Sequence, residues 1–196
     1  MAIIVNGIGK CGTTLMYNFL SKYHSRGPFI TNLSRASSPR LVYKTHSPIP
    51  NAPKNSKVLY MFGDVYNTVL SFYNSWVKHG SHGKPNKGIL KNMTVENQNG
   101  TPFEVKTFDF VKWIDNWYKP HSFPIMFVRY EKMHDNAREI MNFCGLKSQS
   151  LSIFPKFKER KTDWKKCTKD QIDKLELFYS EAYDLTNKLP DIKIFR

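Results

Sequence analysis

The chain has 196 residues, enough for one domain with a sizeable core. Hydrophobic residues make up 40%, which excludes a disordered chain, and no apolar run approaches the ~20 residues that cross a bilayer. Thirty lysines and arginines against sixteen aspartates and glutamates leave a formal charge of +14, so anionic partners are expected: nucleotide phosphates, an acidic glycan, a nucleic acid or an anionic membrane surface.

The opening residues, MAIIVNG, lack the basic segment and long apolar core of a secretory leader and run straight into a glycine loop. A cytoplasmic location is expected, with a Golgi lumen only for a fragment of a longer chain. Sequons at Asn32, Asn92 and Asn99 would matter only in a secretory lumen. Three cysteines (Cys11, Cys144 and Cys167) are odd in number and widely spaced, which argues against a disulfide framework or a zinc site. Cys11 is read as a small loop residue, not a reactive thiol.

Residues 2–6, AIIVN, form an apolar run, and from Thr13 the apolar positions Leu15, Met16, Phe19, Leu20 and Tyr23 recur at helical spacing. Between them lies GIGKCGTTL. Gly7 and Gly12 have the spacing of G-x-x-x-x-G-K-[ST], and Thr14 stands at the Ser/Thr position. Thr13 replaces the lysine, and the loop's own lysine is Lys10. A strand, a tight loop and a helix in this order aim backbone N–H groups and a helix N-terminus at one point, an anion site.

RLVYKTH from Arg40 reads as a second strand, ended by the prolines of SPIPNAP, and KVLYMF from Lys57 as a third. Helical spacing resumes at Val65, Val69, Phe72 and Trp76. Residues 80–106, rich in Gly, Asn and Lys, read as a long loop, a lid or acceptor loop. A helix with Phe110, Val111, Ile114, Trp117 and Tyr118 on one side precedes a fourth strand, PIMFV. The next helix carries Met133, Ala137, Ile140 and Met141, with Gly145 as its cap. After a basic, irregular stretch over 146–167, Thr168 and Gln171 make a capping box for a last helix, with Ile172, Leu175, Phe178, Ala182 and Leu185 inward. Strands alternating with helices predict a three-layer α/β fold, a mainly parallel sheet flanked by helices, P-loop-like, in a single domain over 1–196. Ligands bind such sheets at the carboxyl ends of the strands. Lys10, then Lys44 with His46, then the segment from Gly63 to Ser71 should therefore converge.

A histidine at a strand end can take a proton from a hydroxyl near neutral pH, and a nearby lysine disfavours its imidazolium. His46 beside Lys44 meets both conditions. His24, His79, His82, His121 and His134 show no metal-ligand spacing and are read as solvated or structural. A lysine inside the loop should reach a bridging oxygen where a bond breaks, neutralising a leaving group without needing a metal.

These residues carry a resemblance. GKCGTTL is similar to the 5′-phosphosulfate loop of the cytosolic-type sulfotransferases, and KTHSP at Lys44 to Pro48 is similar to their K-T-H-x-P segment. NTVLSFY resembles their 3′-phosphate helix, FVRYEKM their F-Y-E-D-M strand end, and RKTDWK their late R-K-G…D-W-K segment. The matches keep the family's order along nearly the whole chain. The resemblance implies 3′-phosphoadenosine 5′-phosphosulfate (PAPS) as donor, adenosine 3′,5′-bisphosphate (PAP) as product, no required metal and a small-molecule or glycan hydroxyl as acceptor. It implies that the backbone of Gly9, Lys10, Cys11, Gly12, Thr13 and Thr14 holds the 5′-phosphosulfate. Lys10 would stabilise the leaving oxygen, His46 would be the base, and Lys44 would help bind the sulfuryl group. Ser71, Arg160 and Lys161 would hold the 3′-phosphate, and Tyr130 would lie near adenine. Gly63 stands where the family has a phosphate-binding arginine, Leu15 where it has a stacking tryptophan, and Thr162 where it has the third residue of R-K-G.

Two other readings stay open on the residues. VLYMFGD resembles a Walker B strand, which would suit a P-loop kinase using Asp64 and Mg²⁺. The preferred reading of Asp64 is a helix N-cap. Charge and aromatic content would suit a nucleic-acid-binding module, but no recognised binding motif accompanies them and a nucleic-acid partner is not expected.

Overall fold

The computed structural model describes residues 1–79, 101–156 and 160–196. β1 (Ala2–Gly7) is buried at all six positions, the pattern of a strand covered on both faces. It runs parallel between β3 (Leu41–Lys44) and β4 (Ser56–Phe62), with Val5 opposite Lys44 on one side and Leu59 on the other. β2 (Ser25–Phe29) flanks β3, β5 (Ile125–Arg129) flanks β4, and β6 (Ile192–Phe195) closes the far edge. The order is β2-β3-β1-β4-β5-β6, and only the β5–β6 pair is antiparallel. The mainly parallel α/β sheet predicted from the sequence is the observed one.

The described helices are α1 (Thr13–Leu20), α2 (Val65–His79), α3 (Phe110–Trp117), α4 (Ala137–Phe143) and α5 (Lys169–Lys188). α1 packs on β1 and β3, and just beyond its end His24 Nε2 donates to the Cys144 carbonyl after α4 at 3.1 Å. α2 and α3 both pack on α5, where Tyr66 and Tyr183 stack with ring centroids 4.2 Å apart. Trp113, Trp117, Tyr60, Phe62, Phe72, Phe108 and Phe127 are fully buried in the core.

Local signals land where the sequence puts them. Thr168 and Gln171 form both bonds of the capping box at the start of α5. Gly145 has φ 82, and the bonds Leu146 N–H to Met141 carbonyl (2.8 Å) and Gly145 N–H to Asn142 carbonyl (3.2 Å) make a Schellman end for α4. α4 itself starts at Ala137, because Tyr130–Lys132 form a separate 3-10 turn. On α5, Tyr179 and Thr186 join Leu175 and Ala182 in the buried stripe, while Ile172, Phe178 and Leu185 are only partly covered.

Two strands go beyond the four read in the sequence, so the second, third and fourth of that reading are β3, β4 and β5. β2 reads SRGPF and buries only Gly27, so no apolar period marks it. Close approach holds it: a Cβ on Gly27 would lie 2.8 Å from the Val42 carbonyl oxygen, and the Tyr17 hydroxyl donates to the Gly27 carbonyl. β6 is four residues long and is fixed by its pairing with β5. Residues 80–100 of the expected lid, with His82, Asn92 and Asn99, lie outside the described residues, as do the side chains of Trp76 and His79. Among the described residues no helix is long and apolar enough to cross a membrane.

The last residue of β1 places the loop that follows. Gly7 has φ 141, and a Cβ there would sit 2.0 Å from the Met61 carbonyl oxygen of β4. Gly7→Ala is expected to cost roughly 2–4 kcal/mol, combining backbone strain with a contact that nothing flexible can relieve. Urea unfolding should show a lower midpoint at unchanged slope; an unchanged midpoint would mean that β1 and β4 separate freely here.

Candidate active site

The loop after β1 is built by contacts on both sides. Ile8 N–H donates to the Met61 carbonyl at 3.0 Å, continuing the β1–β4 pairing past Gly7. A Cβ on Gly9 would meet the Phe72 ring of α2 at 2.6 Å, and one on Gly12 would meet the Tyr130 ring at 2.5 Å. Glycine at both places lets the backbone lie flat between two aromatic rings. Gly12 has φ 77 and caps α1 without any side-chain bond, and the first turn of α1 holds no acidic residue. The first N–H groups of a helix have no intrahelical partner, so they point at open space with the positive end of the helix dipole behind them. Such a turn suits an anion.

Lys10 has φ 67, a left-handed conformation that costs a non-glycine residue roughly 1–3 kcal/mol and clusters at ligand sites. Its Nζ donates to Ser75 Oγ on α2 at 2.6 Å and lies 5.7 Å from the Phe72 ring centroid. Lys44, at the end of β3, donates to Thr14 Oγ1 at 2.7 Å. Burial lowers the pKa of both ammonium groups, and the charge of Lys10 lowers that of Lys44 further. Two partly buried lysines at one helix N-terminus favour an anion between them. Thr13 is buried and Thr14 exposed at the same turn.

His46 closes the other side. Its Nδ1 lies 2.9 Å from the Gly7 carbonyl, which can only accept, so Nδ1 carries the proton and Nε2 keeps the lone pair. Burial holds its pKa down at about 4, the Gly7 bond raises it somewhat, and Lys44 and Lys10 lower it again. The ring is neutral at pH 7, with the Nε2 lone pair unprotonated.

The segment carrying His46 is anchored by groups that the sequence reading did not single out. The buried Ser47 carbonyl accepts three donors: Asn6 Nδ2 at 3.1 Å, Trp117 Nε1 at 3.0 Å and Trp113 Nε1 at 3.3 Å. Asn116 Nδ2 donates to the Pro48 carbonyl at 3.2 Å. Trp117 lies on the apolar side of the predicted helix, and Trp113, four residues earlier on the same face, is the available signal for its partner.

The residues expected at the 3′-phosphate divide. Arg160 Nη2 donates to the Lys10 carbonyl at 3.2 Å, and its guanidinium stacks 5.2 Å from the centroid of Tyr130, so Arg160 and Tyr130 both brace the loop from behind. Arg160 and Lys161 line a groove of about 570 Å³ whose other wall is the Asn67, Leu70 and Asn74 stripe of α2. Ser71 falls between that stripe and Ser75, whose Oγ donates to the Ser71 carbonyl at 3.0 Å. Cys11 is fully buried, lies 3.2 Å from Thr68 Oγ1, and has its thiol pushed up to about 11 by burial, so it is a structural residue as expected. Asp64 Oδ1 accepts the Asn67 N–H at 2.7 Å, the N-cap of α2. That bond is the preferred reading of Asp64, and it removes the main support for the Walker B alternative.

A depressed histidine pKa has a defined sign. Between its ordinary value of 6.5 and about 4, the unfolded chain binds a proton that the folded chain does not. The contribution of His46 is therefore fully present above pH 6.5 and is lost as the pH falls toward 4. In NMR titration, the His46 Cε1–H resonance should stay in its neutral position until near pH 4, and His46→Gln should flatten part of the acid loss of stability. A midpoint near 6.5 would show that the ring is solvated and the assigned environment wrong.

A family model for the sulfotransferase domain matches residues 29–184. Among curated proteins, the chain is 29% identical over 130 residues to sulfotransferase 1B1 of Canis lupus familiaris, covering 63% of this chain. It spans only 42% of that relative's length. Among solved structures, mouse sulfotransferase SULT7A1, complexed with PAP, superposes with a TM-score of 0.58 at 13% identity, over 92% of this chain and 83% of that one, a likeness of fold. With most of its length inside the family model, the chain belongs to the sulfotransferase domain family.

Proposed function

We propose that the chain, acting as one domain over 1–196, transfers a sulfuryl group from PAPS to a hydroxyl of a small molecule or glycan. The single observation that carries this reading is the Nδ1–H bond of His46 to the Gly7 carbonyl. It aims a neutral imidazole lone pair away from the strand that feeds the phosphate loop, beside two lysines.

The donor, when bound, supplies a sulfuryl group on a phosphate leaving group. The chain's own residues then divide the work. The uncapped first turn of α1 and the loop from Gly9 to Thr14 bind the 5′ phosphosulfate through N–H groups. His46 Nε2 takes the proton from the acceptor hydroxyl as that oxygen attacks. Lys10 leaves Ser75 Oγ and neutralises the bridging oxygen as the sulfur–oxygen bond breaks, and Lys44 balances charge on the transferring group. Positioning and charge do most of the work in such an in-line transfer. The residues fit the 5′ end of this donor well, since two cations and a helix N-terminus meet there. The fit at the 3′ end is weaker, because Arg160 already has partners.

Adenosine 3′,5′-bisphosphate should raise the melting temperature, while ATP with Mg²⁺ and a single-stranded oligonucleotide should not. Stabilisation by ATP with the metal alone would replace this reading with a kinase, and stabilisation by the oligonucleotide alone would replace it with a nucleic-acid-binding module. His46→Ala is expected to keep bisphosphate binding and lower transfer by about 10²–10⁴-fold. Lys10→Ala should slow single-turnover transfer by about 10²–10³-fold. Transfer at full rate by either variant removes the role given to that residue.

A further inference from the structure

The end of β4 and the turn after β5 meet at Gly63, and what lies over that glycine is a carboxylate. A Cβ on Gly63 would stand 2.8 Å from Glu131 Oε2 and 2.9 Å from Oε1. Glu131 is held there by two donors. The Asp64 N–H reaches Oε1 at 3.2 Å, and Arg160 Nη2 lies 3.5 Å from the same oxygen. Arg160 is mostly covered, with its side chain 14% exposed, and among the described residues its buried Nη1 has no hydrogen-bond partner. Glu131 and Arg160 both also act on the buried Cys11 thiol, in opposite directions, so both charges face the back of the phosphate loop.

The groove beside them has the same balanced character. Lys166 lies 3.5 Å from Asp163, and both line it together with Arg160, Lys161 and Glu131. Two of its three cations are thus already opposite carboxylates. A second phosphate entering this groove meets Lys161, an arginine whose charge is partly answered, and two carboxylates of its own sign, Glu131 and Asp163. In the 5′ half of the site, by contrast, the hydrogen bonds of Lys10 and Lys44 among the described residues go to hydroxyls.

We propose that Glu131 is a selectivity residue for the 3′ substituent of the nucleotide, an inference that rests on the transfer reading above. Its carboxylate occupies the space over Gly63, holds Arg160, and lowers the preference of the site for a 3′-phosphate over a 3′-hydroxyl. Binding of a 3′-phosphate requires Arg160 to exchange Glu131 for the ligand, and the buried Nη1 donor gives that exchange a second bond to make. Glu131 touches neither of the atoms that react, so it acts on donor choice and not on the chemical step.

The test is isothermal titration of the intact chain with adenosine 3′,5′-bisphosphate and with adenosine 5′-monophosphate, read as the ratio of their affinities. Glu131→Gln keeps the oxygen that accepts the Asp64 N–H and removes only the charge. It should raise the ratio roughly tenfold, the size of one partly screened charge contact, through tighter bisphosphate binding. The 5′-monophosphate affinity should change less than about twofold. Glu131→Ala should move the ratio in the same direction, which separates the loss of charge from any effect of the new amide. In Arg160→Gln, adding Glu131→Gln should raise the ratio by clearly less, because the exchange partner is gone. An unchanged or lowered ratio in both Glu131 variants, with the bisphosphate still binding, overturns the selectivity role and leaves the transfer reading standing. Failure of the native chain and every variant to bind either nucleotide overturns both.

Discussion

The carbonyl of Gly7 is the point on which the rest of the site depends. Its oxygen fixes the tautomer of His46. Its missing side chain lets β1 pass the Met61 carbonyl of β4. Its backbone begins the loop that presents Lys10. One residue therefore sets the distance between His46, the first turn of α1 and the sheet, and any side chain on it is strained. A β-branched or even an alanine side chain there would push β1 from β4 and carry the loop and the histidine contact with it.

The buried Ser47 carbonyl completes this arrangement from the opposite side. A carbonyl has two lone pairs, and three N–H groups converge on this one from β1 and α3. A buried acceptor so fully engaged has little freedom, and His46 is its immediate chain neighbour. His46 is thus held by its own ring nitrogen at one end and by its following peptide at the other. Such double anchoring keeps the ring near one geometry.

What the sequence reveals and conceals follows from the range of the interactions. The strand–loop–helix at the N-terminus, the Asp64 cap, the Gly145 end of α4 and the Thr168–Gln171 box are set within a few residues, and each is visible in the chain as written. β2 is not, because a Gly-Pro strand with one buried residue is specified by the strand it lies against. The same holds for Arg160. Its sequence segment marks it as a phosphate ligand, but its contact with the Lys10 carbonyl spans 150 residues and its contact with Glu131 requires Gly63 on a third segment. The absence of an arginine at position 63 was legible; the carboxylate filling the space was not, since nothing local pairs Gly63 with Glu131.

The two halves of the site are electrostatically unlike, and the difference bears on what the protein recognises. At the start of α1, the dipole, two lysines and an absence of acidic residues in the first turn all act in one direction. Burial disfavours both ammonium groups and the charge of Lys10 disfavours that of Lys44, so an anion there relieves repulsion as well as gaining attraction. Around Arg160 the cation is already answered, and a ligand gains only the difference between itself and Glu131. Affinity for an adenine nucleotide should then be set mainly at its 5′ end, with the 3′ end adjusting preference among nucleotides. A net charge of +14 does not alter this balance, because fixed groups within a few ångströms outweigh charges beyond a screening length of about 8 Å. In the proposed reading, the general field brings an anion to the protein, and Lys10, Lys44 and the uncapped turn decide which end of it is held.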